Sequence, residues 1–371
     1  MTHLFEPITL GSLEIKNRIW LSPMCMYACE EHDGRVGDLH LVHLGARAMG
    51  GFGLVMTEAA AVGPEGRISP TDAGIWTDTQ AEAWRPVVDF CRRFGAASCI
   101  QLAHAGRKAS TWRGFVGEPS GPAPAADGGW QVVGPSPVPY PGLATPRELS
   151  STEIHAVVEA FADAAERAQR VGFDSVEVHA AHGYLIHQFL SPLSNERTDQ
   201  WGGSFENRTR LILQIVAAIR ERVGADFPVL VRISATDWHP EGWTPEDSER
   251  LAPLLAEAGC NLIDVSSGSN LPADIPVEPL YQVPLAERVR AAVAHTGCAV
   301  SAVGLITEPA QAEAILADGR ADAVFLARAA LREPAWPMRA VRELVGPALE
   351  QDGQMRAGAT AWPPYYRRAE R

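Results

Sequence analysis

Two imidazoles and a phenol, His179, His182 and Tyr184, fall within six residues, just where the apolar run Ser175 to Val178 gives out. Imidazole N–H groups can hold an oxygen on which negative charge develops, and a phenol can hand a proton to a neighbouring carbon. The spacing therefore admits chemistry on an oxygen-activated substrate. In a solvated surface turn the same residues would do nothing, so the elements that carry them decide. After them comes a long stretch dense in Asn, Arg, Asp and Gly, read as loop, and then Ser204, which opens the helical pattern FENRTRLILQIVAAIR.

Along the chain, short apolar runs alternate with amphipathic segments. FEPITLGSLEIKN reads as a hairpin cap with a Gly-Ser turn. The apolar runs at 18–24, 54–60, 97–104, 175–179, 227–234, 261–268, 298–304 and 323–329 read as eight strands. Helical spacing falls at 38–51, at 78–95 with Asp78 as its cap, and at 150–172, 204–222, 245–259, 284–296, 308–319 and 335–345. Residues 105–149 are too rich in Pro and Gly for a regular element, and a connection of that length is usually functional or a lid. Strands without polar alternation are buried on both faces, as in a parallel sheet covered by helices. Eight such units predict an α/β fold, a (β/α)8 TIM barrel over residues 1–371 with an N-terminal hairpin cap and a long loop after the third strand. The competing open doubly wound sheet wants a GxGxxG loop after an early strand, and the first strand ends instead in SPMCMY.

The net charge of −13 argues against a nucleic-acid surface, and no apolar run is long enough to span a membrane. Six cysteines (25, 29, 91, 99, 260, 298) form no dense framework and no CxxC knuckle, which fits a reducing cytoplasm.

A barrel gathers its site at the C-terminal strand ends. Those positions hold Ser22, Pro23, Met24, Cys25 and Tyr27; Glu58 and Ala59; Gln101 and His104; His179, His182 and Tyr184; Arg232; Ser266 and Ser267; Gly304; Ala327 and Arg328. Carboxylates are scarce, which disfavours a glycosidase. Glu177, His179 and His182 could supply three metal ligands on paper, but His182 has left the strand face the other two share, so a metal-dependent hydrolase is disfavoured and no metal is expected. Arg232 stands in a strand, where a lone guanidinium must face something anionic or electron-rich, or else end the strand in solvent. The last two strand ends are where barrels commonly bind phosphate, with Gly304 for close approach and Arg328 for countercharge.

Together, SPMCMY at 22–27, HAAHGYLIHQFLSPLSNERTDQWGGSFENR at 179–208, AVGLIT at 302–307 and FLARAALREP at 325–334 resemble the old yellow enzyme family of FMN-dependent ene-reductases. The likeness runs the length of the chain and is nearest the xenobiotic reductase and thermophilic-like branch. Other branches carry Thr at the position of Cys25 and Asn at that of His182. The resemblance implies non-covalent FMN lined by Ser22, Pro23, Met24, Cys25, Ala59 and Gln101, with Arg232 at its N1/C2 edge and Gly304, Ala327 and Arg328 at its phosphate. It implies that His179 and His182 hold the substrate oxygen, that Tyr184 donates the proton and that Tyr27 closes over the ligand. NADPH or NADH would be the reductant, and enones, quinones or nitro compounds the acceptors. An FMN-dependent amine dehydrogenase or demethylase would use the same bed. The resemblance further implies a homodimer, or a tetramer of dimers, in which the tail at 360–371 crosses the interface and Arg368, or Arg367 beside it, enters the neighbouring site.

Overall fold

The computed structural model describes residues 2–346 and Pro363. Strands β1 (Ile8–Leu10) and β2 (Leu13–Ile15) pair antiparallel as the expected hairpin. Strand and helix then alternate through β3 (Ile19–Leu21), α1 (Asp38–Met49), β4 (Leu54–Ala61), α2 (Asp78–Arg93) and β5 (Ala97–Ala103). Residues 105–149 are mostly irregular but contain a small parallel pair, β6 (Val133–Gly134) and β7 (Arg147–Glu148). The rhythm resumes with α3 (Ser151–Val171), β8 (Ser175–Ala180), α4 (Leu185–Leu190), α5 (Phe205–Val223), β9 (Val229–Ser234) and α6 (Pro245–Glu257). It ends with β10 (Leu262–Ser266), α7 (Val283–Val293), β11 (Ala299–Ala302), α8 (Pro309–Ala317), β12 (Ala323–Leu326), α9 (Arg328–Arg332) and α10 (Trp336–Leu344).

Eight parallel strands, β3-β4-β5-β8-β9-β10-β11-β12, close into a barrel as β12 pairs with β3. The expected α/β barrel is the observed fold. Helix α3 illustrates why the elements form. Ser150 caps it, accepting from the Glu153 N–H, and Gly172 ends it at φ +104°; such a cap is worth about 1 kcal/mol. Ile154, Val157, Val158, Phe161, Ala165 and Ala168 recur at helical spacing and bury one face against the barrel. Truncating Phe161 to Ala would cost roughly 3–5 kcal/mol.

Several local expectations need correction. Thr77, not Asp78, caps α2 by accepting from the Gln80 N–H, while the Asp78 carboxylate binds Arg167 and Arg170. Helix α4 lies inside the stretch read as loop, because Leu185, Ile186, Phe189 and Leu190 are all buried. Arg328 begins α9 rather than extending β12.

The strands also alternate after all. Their outward residues, such as Val176, Val178, Val231 and Val265, are apolar and join the large core beneath the helices. Inside, Trp20, Leu54, Met56, Cys99, Leu230, Leu262 and Phe325 fill the lower barrel together with Leu10 and Ile15 of the hairpin. Two residues further along the strands the interior turns polar, with Gln101, Glu177, Arg232, Asp264 and Ser301, all buried.

Candidate active site

The polar layer is set by strand register. Gln101 on β5 lies between Ala59 of β4 and Glu177 of β8, His179 pairs with Arg232 of β9, Arg232 with Asp264 of β10, and Ser234 with Ser266. Gln101 Nε2 donates to Glu177 Oε1 at 2.7 Å. Arg232 Nη1 donates to Ser22 Oγ at 3.2 Å, and its Nε lies 3.1 Å from Asp264 Oδ2 without a formed hydrogen bond. Arg232 is therefore not a lone cation. A strand carboxylate faces it, which the sequence reading, confined to Glu58 and Glu177, passes over. Burial holds the Glu177 and Asp264 carboxyls above the usual carboxylate range, only partly offset by Arg232.

Above this layer the chain leaves β8 through a tight turn. The His179 ring stands perpendicular to those of His182 and Tyr184, with centroids 5.2 and 5.0 Å away. Burial, and then the Arg232 charge, pushes both imidazoles well below their ordinary pKa, so each is neutral with one donor and one acceptor. His179 Nδ1 accepts from the Ala181 N–H at 3.2 Å, which leaves the ring proton on Nε2. His182 Nε2 lies 2.8 Å from Ser266 Oγ. Burial first, then Cys25 and Asp72, pushes Tyr184 upward, so its phenol stays protonated.

On the opposite side, Ser22 N–H donates to Leu326 O at 2.9 Å, joining the first strand end to the last. Met26 N–H donates to Glu58 Oε2 at 2.9 Å, while Glu58 Oε1 sits 3.0 Å from His40 Nε2. That buried pair fixes the segment bearing Cys25 and Tyr27. Cys25, Tyr27 and Tyr184, each half-buried, pack around Ile68, Ala105, Ala109 and Val132. Tyr27 adopts φ +52°, a left-handed conformation that costs a residue with a side chain roughly 1–3 kcal/mol. Burial keeps the Cys25 sulfur a thiol.

The segment 105–149 supplies Lys108, whose Nζ donates to His182 O at 2.8 Å and Ser269 O at 3.1 Å. It stands 5.1 Å from the Tyr184 ring centroid and 4.8 Å from that of Tyr140. Burial, with Arg107 beside it, pushes the lysine down to about 8. Gly304 holds φ +122°, and a side chain there would meet Gln282 Nε2 at 2.8 Å. Ala327 is half-buried and Arg328 exposed at the start of α9.

The structure thus brings His179, His182 and Tyr184 into ring contact, with Cys25 and Tyr27 packed beside Tyr184. Ser22, Gln101 and Arg232 lie in or against the polar layer, Ala59 beside Gln101 at its edge, and Gly304, Ala327 and Arg328 at the mouths of β11 and β12. Pro23 and Met24 are half-buried between Ser22 and Cys25. Arg367 and Arg368 lie outside the described residues. Sequence reasoning did not single out Lys108 or Asp264. The alternation of β10 offered a signal for Asp264, since it stands two residues before Ser266 on the same face. For Lys108, in an irregular segment, periodicity offered none. Among the described residues, no three His, Cys, Asp or Glu side chains cluster as metal ligands.

Residues 3–345 match the NADH:flavin oxidoreductase / NADH oxidase family, and the chain belongs to it, as an enzyme of the old yellow enzyme class using FMN and nicotinamide chemistry. It is 47% identical over 344 residues to an NADPH dehydrogenase of Geobacillus sp. (strain WCH70), covering 92% of this chain and 95% of that one. Among solved structures, morphinone reductase superposes with TM-score 0.77 at 30% identity, covering 98% of this chain and 96% of its own. A 2-naphthoyl-CoA reductase superposes with TM-score 0.83 at 28% identity over 92% of this chain, which spans about half of that longer protein (52%). No helix among the described residues is long and apolar enough to cross a membrane.

Proposed function

We propose that the chain reduces the activated C=C bond of α,β-unsaturated carbonyl or nitro compounds, with NADPH or NADH as donor, in a ping-pong cycle. The observation that carries this reading is the neutral His179 ring in contact with a second neutral imidazole, His182, on one side and a protonated phenol, Tyr184, on the other. Two neutral imidazoles can each give an N–H to one substrate oxygen and stabilise the charge that gathers there. His179 offers Nε2–H. His182 offers Nδ1–H when its Nε2 accepts from Ser266 Oγ at 2.8 Å, the hydroxyl then turning from Gln282 Oε1, which lies 3.3 Å away and also accepts from Ser267 Oγ at 2.6 Å. Tyr184, held protonated, delivers its proton to the carbon alpha to the activating group.

The residues present fit FMN. Arg232, with Asp264 against its Nε, turns its Nη1 toward Ser22, a cationic edge suited to the anionic side of a reduced ring, and Gln101 stands in the same layer. Pro23, Met24, Cys25 and Ala59 would line the ring face, and Gly304, Ala327 and Arg328 would hold the phosphate. When bound, FMN accepts a hydride from the nicotinamide and passes it on from N5. Cys25, as a half-buried thiol beside it, would tune its potential. Residues 105–149 would cap the open side through Lys108, and Tyr27 would close over the ligand. The assembly we propose is a homodimer, or a tetramer of dimers, with Arg368 or Arg367 reaching into the neighbouring site.

The test is the visible spectrum of the purified protein, followed by a titration with 4-hydroxybenzaldehyde and anaerobic cyclohexenone turnover with NADPH. A bound flavin, a long-wavelength charge-transfer band with the phenol, and saturated ketone as product are expected. Oxidation of an amine with no enone turnover would favour the dehydrogenase reading instead.

A further inference from the structure

The backbone of the turn bearing His182 and Tyr184 is bonded at every polar group. His182 N–H donates to Ser234 Oγ at 2.9 Å and His182 O accepts from Lys108 at 2.8 Å. Gly183 O accepts from Gln188 Nε2 at 2.7 Å, and Tyr184 N–H donates to Ala181 O at 3.1 Å. Gly183 N–H donates to His187 Nδ1 at 2.9 Å, so one imidazole in the helix that follows holds the centre of the turn. At φ +72°, Gly183 can carry no side chain, because a Cβ would run into the Ser269 carbonyl.

His187 touches none of the reacting groups and is fully buried, as is Asp237 behind it. Because Nδ1 accepts, the ring proton resides on Nε2, which lies 2.9 Å from Asp237 Oδ1, although the N–H is not aimed along that line. Asp237 Oδ2 in turn accepts from Ser191 Oγ at 2.5 Å and the Trp243 N–H at 2.8 Å. Burial alone would raise the Asp237 carboxyl, but the attraction of His187 and these hydrogen bonds outweigh it and hold the carboxyl below its ordinary value. A fixed anion behind Nε2 orients the ring and makes Nδ1 the better acceptor, as a carboxylate does behind a metal-bound histidine.

We infer that His187, backed by Asp237, is a positioning residue: through the Gly183 N–H it sets where the His182 imidazole stands, and hence how well the two histidines share one substrate oxygen. The inference rests on the oxygen-holding role proposed above. His182 is held at φ +57°, a conformation uncommon for any residue with a side chain, and the bond to the Gly183 N–H helps to keep it there. Without the acceptor, the Gly183 N–H is left buried and unpaired, and the turn relaxes to find one.

Two amide variants separate the two contacts of the ring. In His187→Asn the amide oxygen can lie where Nδ1 was, so the Gly183 bond survives and the reach to Asp237 is lost. In His187→Gln the amide nitrogen reaches Asp237, and no acceptor replaces Nδ1. The FMN-loaded parent and both variants would be titrated with 4-hydroxybenzaldehyde, with flavin content and amide hydrogen exchange of residues 179–186 as independent readouts. We expect His187→Gln to bind the phenol about tenfold more weakly, with faster Gly183 exchange and flavin content unchanged, and His187→Asn to stay within about threefold of the parent. Equal phenol affinity in the Asn and Gln variants overturns the positioning role alone. A flavin-loaded parent that binds no phenol overturns the oxygen-holding reading and this inference with it.

Discussion

Arg232 and Asp264 face each other across neighbouring strands inside the barrel, Nε to Oδ2 at 3.1 Å, with Ser301 Oγ donating to the other carboxylate oxygen at 3.0 Å. Neither group is in water. The contact neutralises a cation that would otherwise destabilise the polar layer, and it fixes the guanidinium beside Ser22. Removing the acid strands a buried charge, so Asp264→Ala should cost about 3–5 kcal/mol, whereas breaking an exposed pair costs under about 1. Urea unfolding of the FMN-free protein checks this; a loss below 1 kcal/mol would mean that solvent reaches Arg232.

His179→Ala and His182→Ala should each weaken phenol binding by about 10- to 100-fold, the cost of one hydrogen bond to a charged oxygen. Enone turnover should fall in parallel, with reduction of the flavin by the nicotinamide less affected. Unchanged phenol affinity in both variants would remove the pair from oxygen binding.

Tyr184→Phe should slow cyclohexenone reduction by about 10²–10⁴-fold, the usual worth of a positioned general acid. Nitro-group reduction, for which solvent can supply protons, should suffer less. A parent-like enone rate in the variant would point to water as the proton source.

Asp72 gives the stability a pH dependence. Burial, reinforced by Glu58 and opposed by the N–H groups of Ile68 and Ser69, raises its carboxyl to about 8. The folded chain therefore binds a proton that the unfolded chain has already released, and stability falls as pH rises toward 8. His43 and His104, both pushed down to about 4 by burial, act in the opposite sense between their folded values and their ordinary one of 6.5. The window from 6.5 to about 8 is left to the acids, Asp72 with the similarly raised Glu177. Unfolding free energy should drop there by up to roughly 2 kcal/mol per acid, and Asp72→Asn should remove its share. A flat profile in the parent would mean that Asp72 is ionised in the fold.

Removal of Tyr366–Arg371 should raise KM for enones and leave FMN bound, if Arg368 or Arg367 serves a neighbouring site. Sedimentation of the full chain as a monomer at micromolar concentration, or unaltered kinetics after truncation, would end the shared-site proposal.

What was legible in the sequence follows from periodicity and spacing. The eight strands and their helices are readable because apolar runs and amphipathic segments differ in period, and the His179–Tyr184 cluster because its residue types are unusual at a strand end. The pairing of Arg232 was not legible. Asp264 lies on another strand, and which strands adjoin is a matter of barrel closure rather than of local pattern. Helix α4 was hidden because Asn195, Arg197 and Asp199 just beyond it make the whole stretch look like loop. His187 was hidden too, since its partner Asp237 is distant in sequence and only the fold brings them together.

The closure of β12 onto β3 has a consequence for biosynthesis. Until residues 323–326 leave the ribosome, β3 lacks one of its two neighbours, and the Ser22 N–H lacks its partner on Leu326. Arg47 on α1 is likewise unfinished, since its guanidinium donates to Ala330 O. The segment that begins the site is thus made first and locked last. A contact spanning nearly the whole chain places its formation late and makes it slow, so a nascent chain stalled before Ala323 should carry an open edge and an incomplete barrel mouth, and depend on chaperones in the interval.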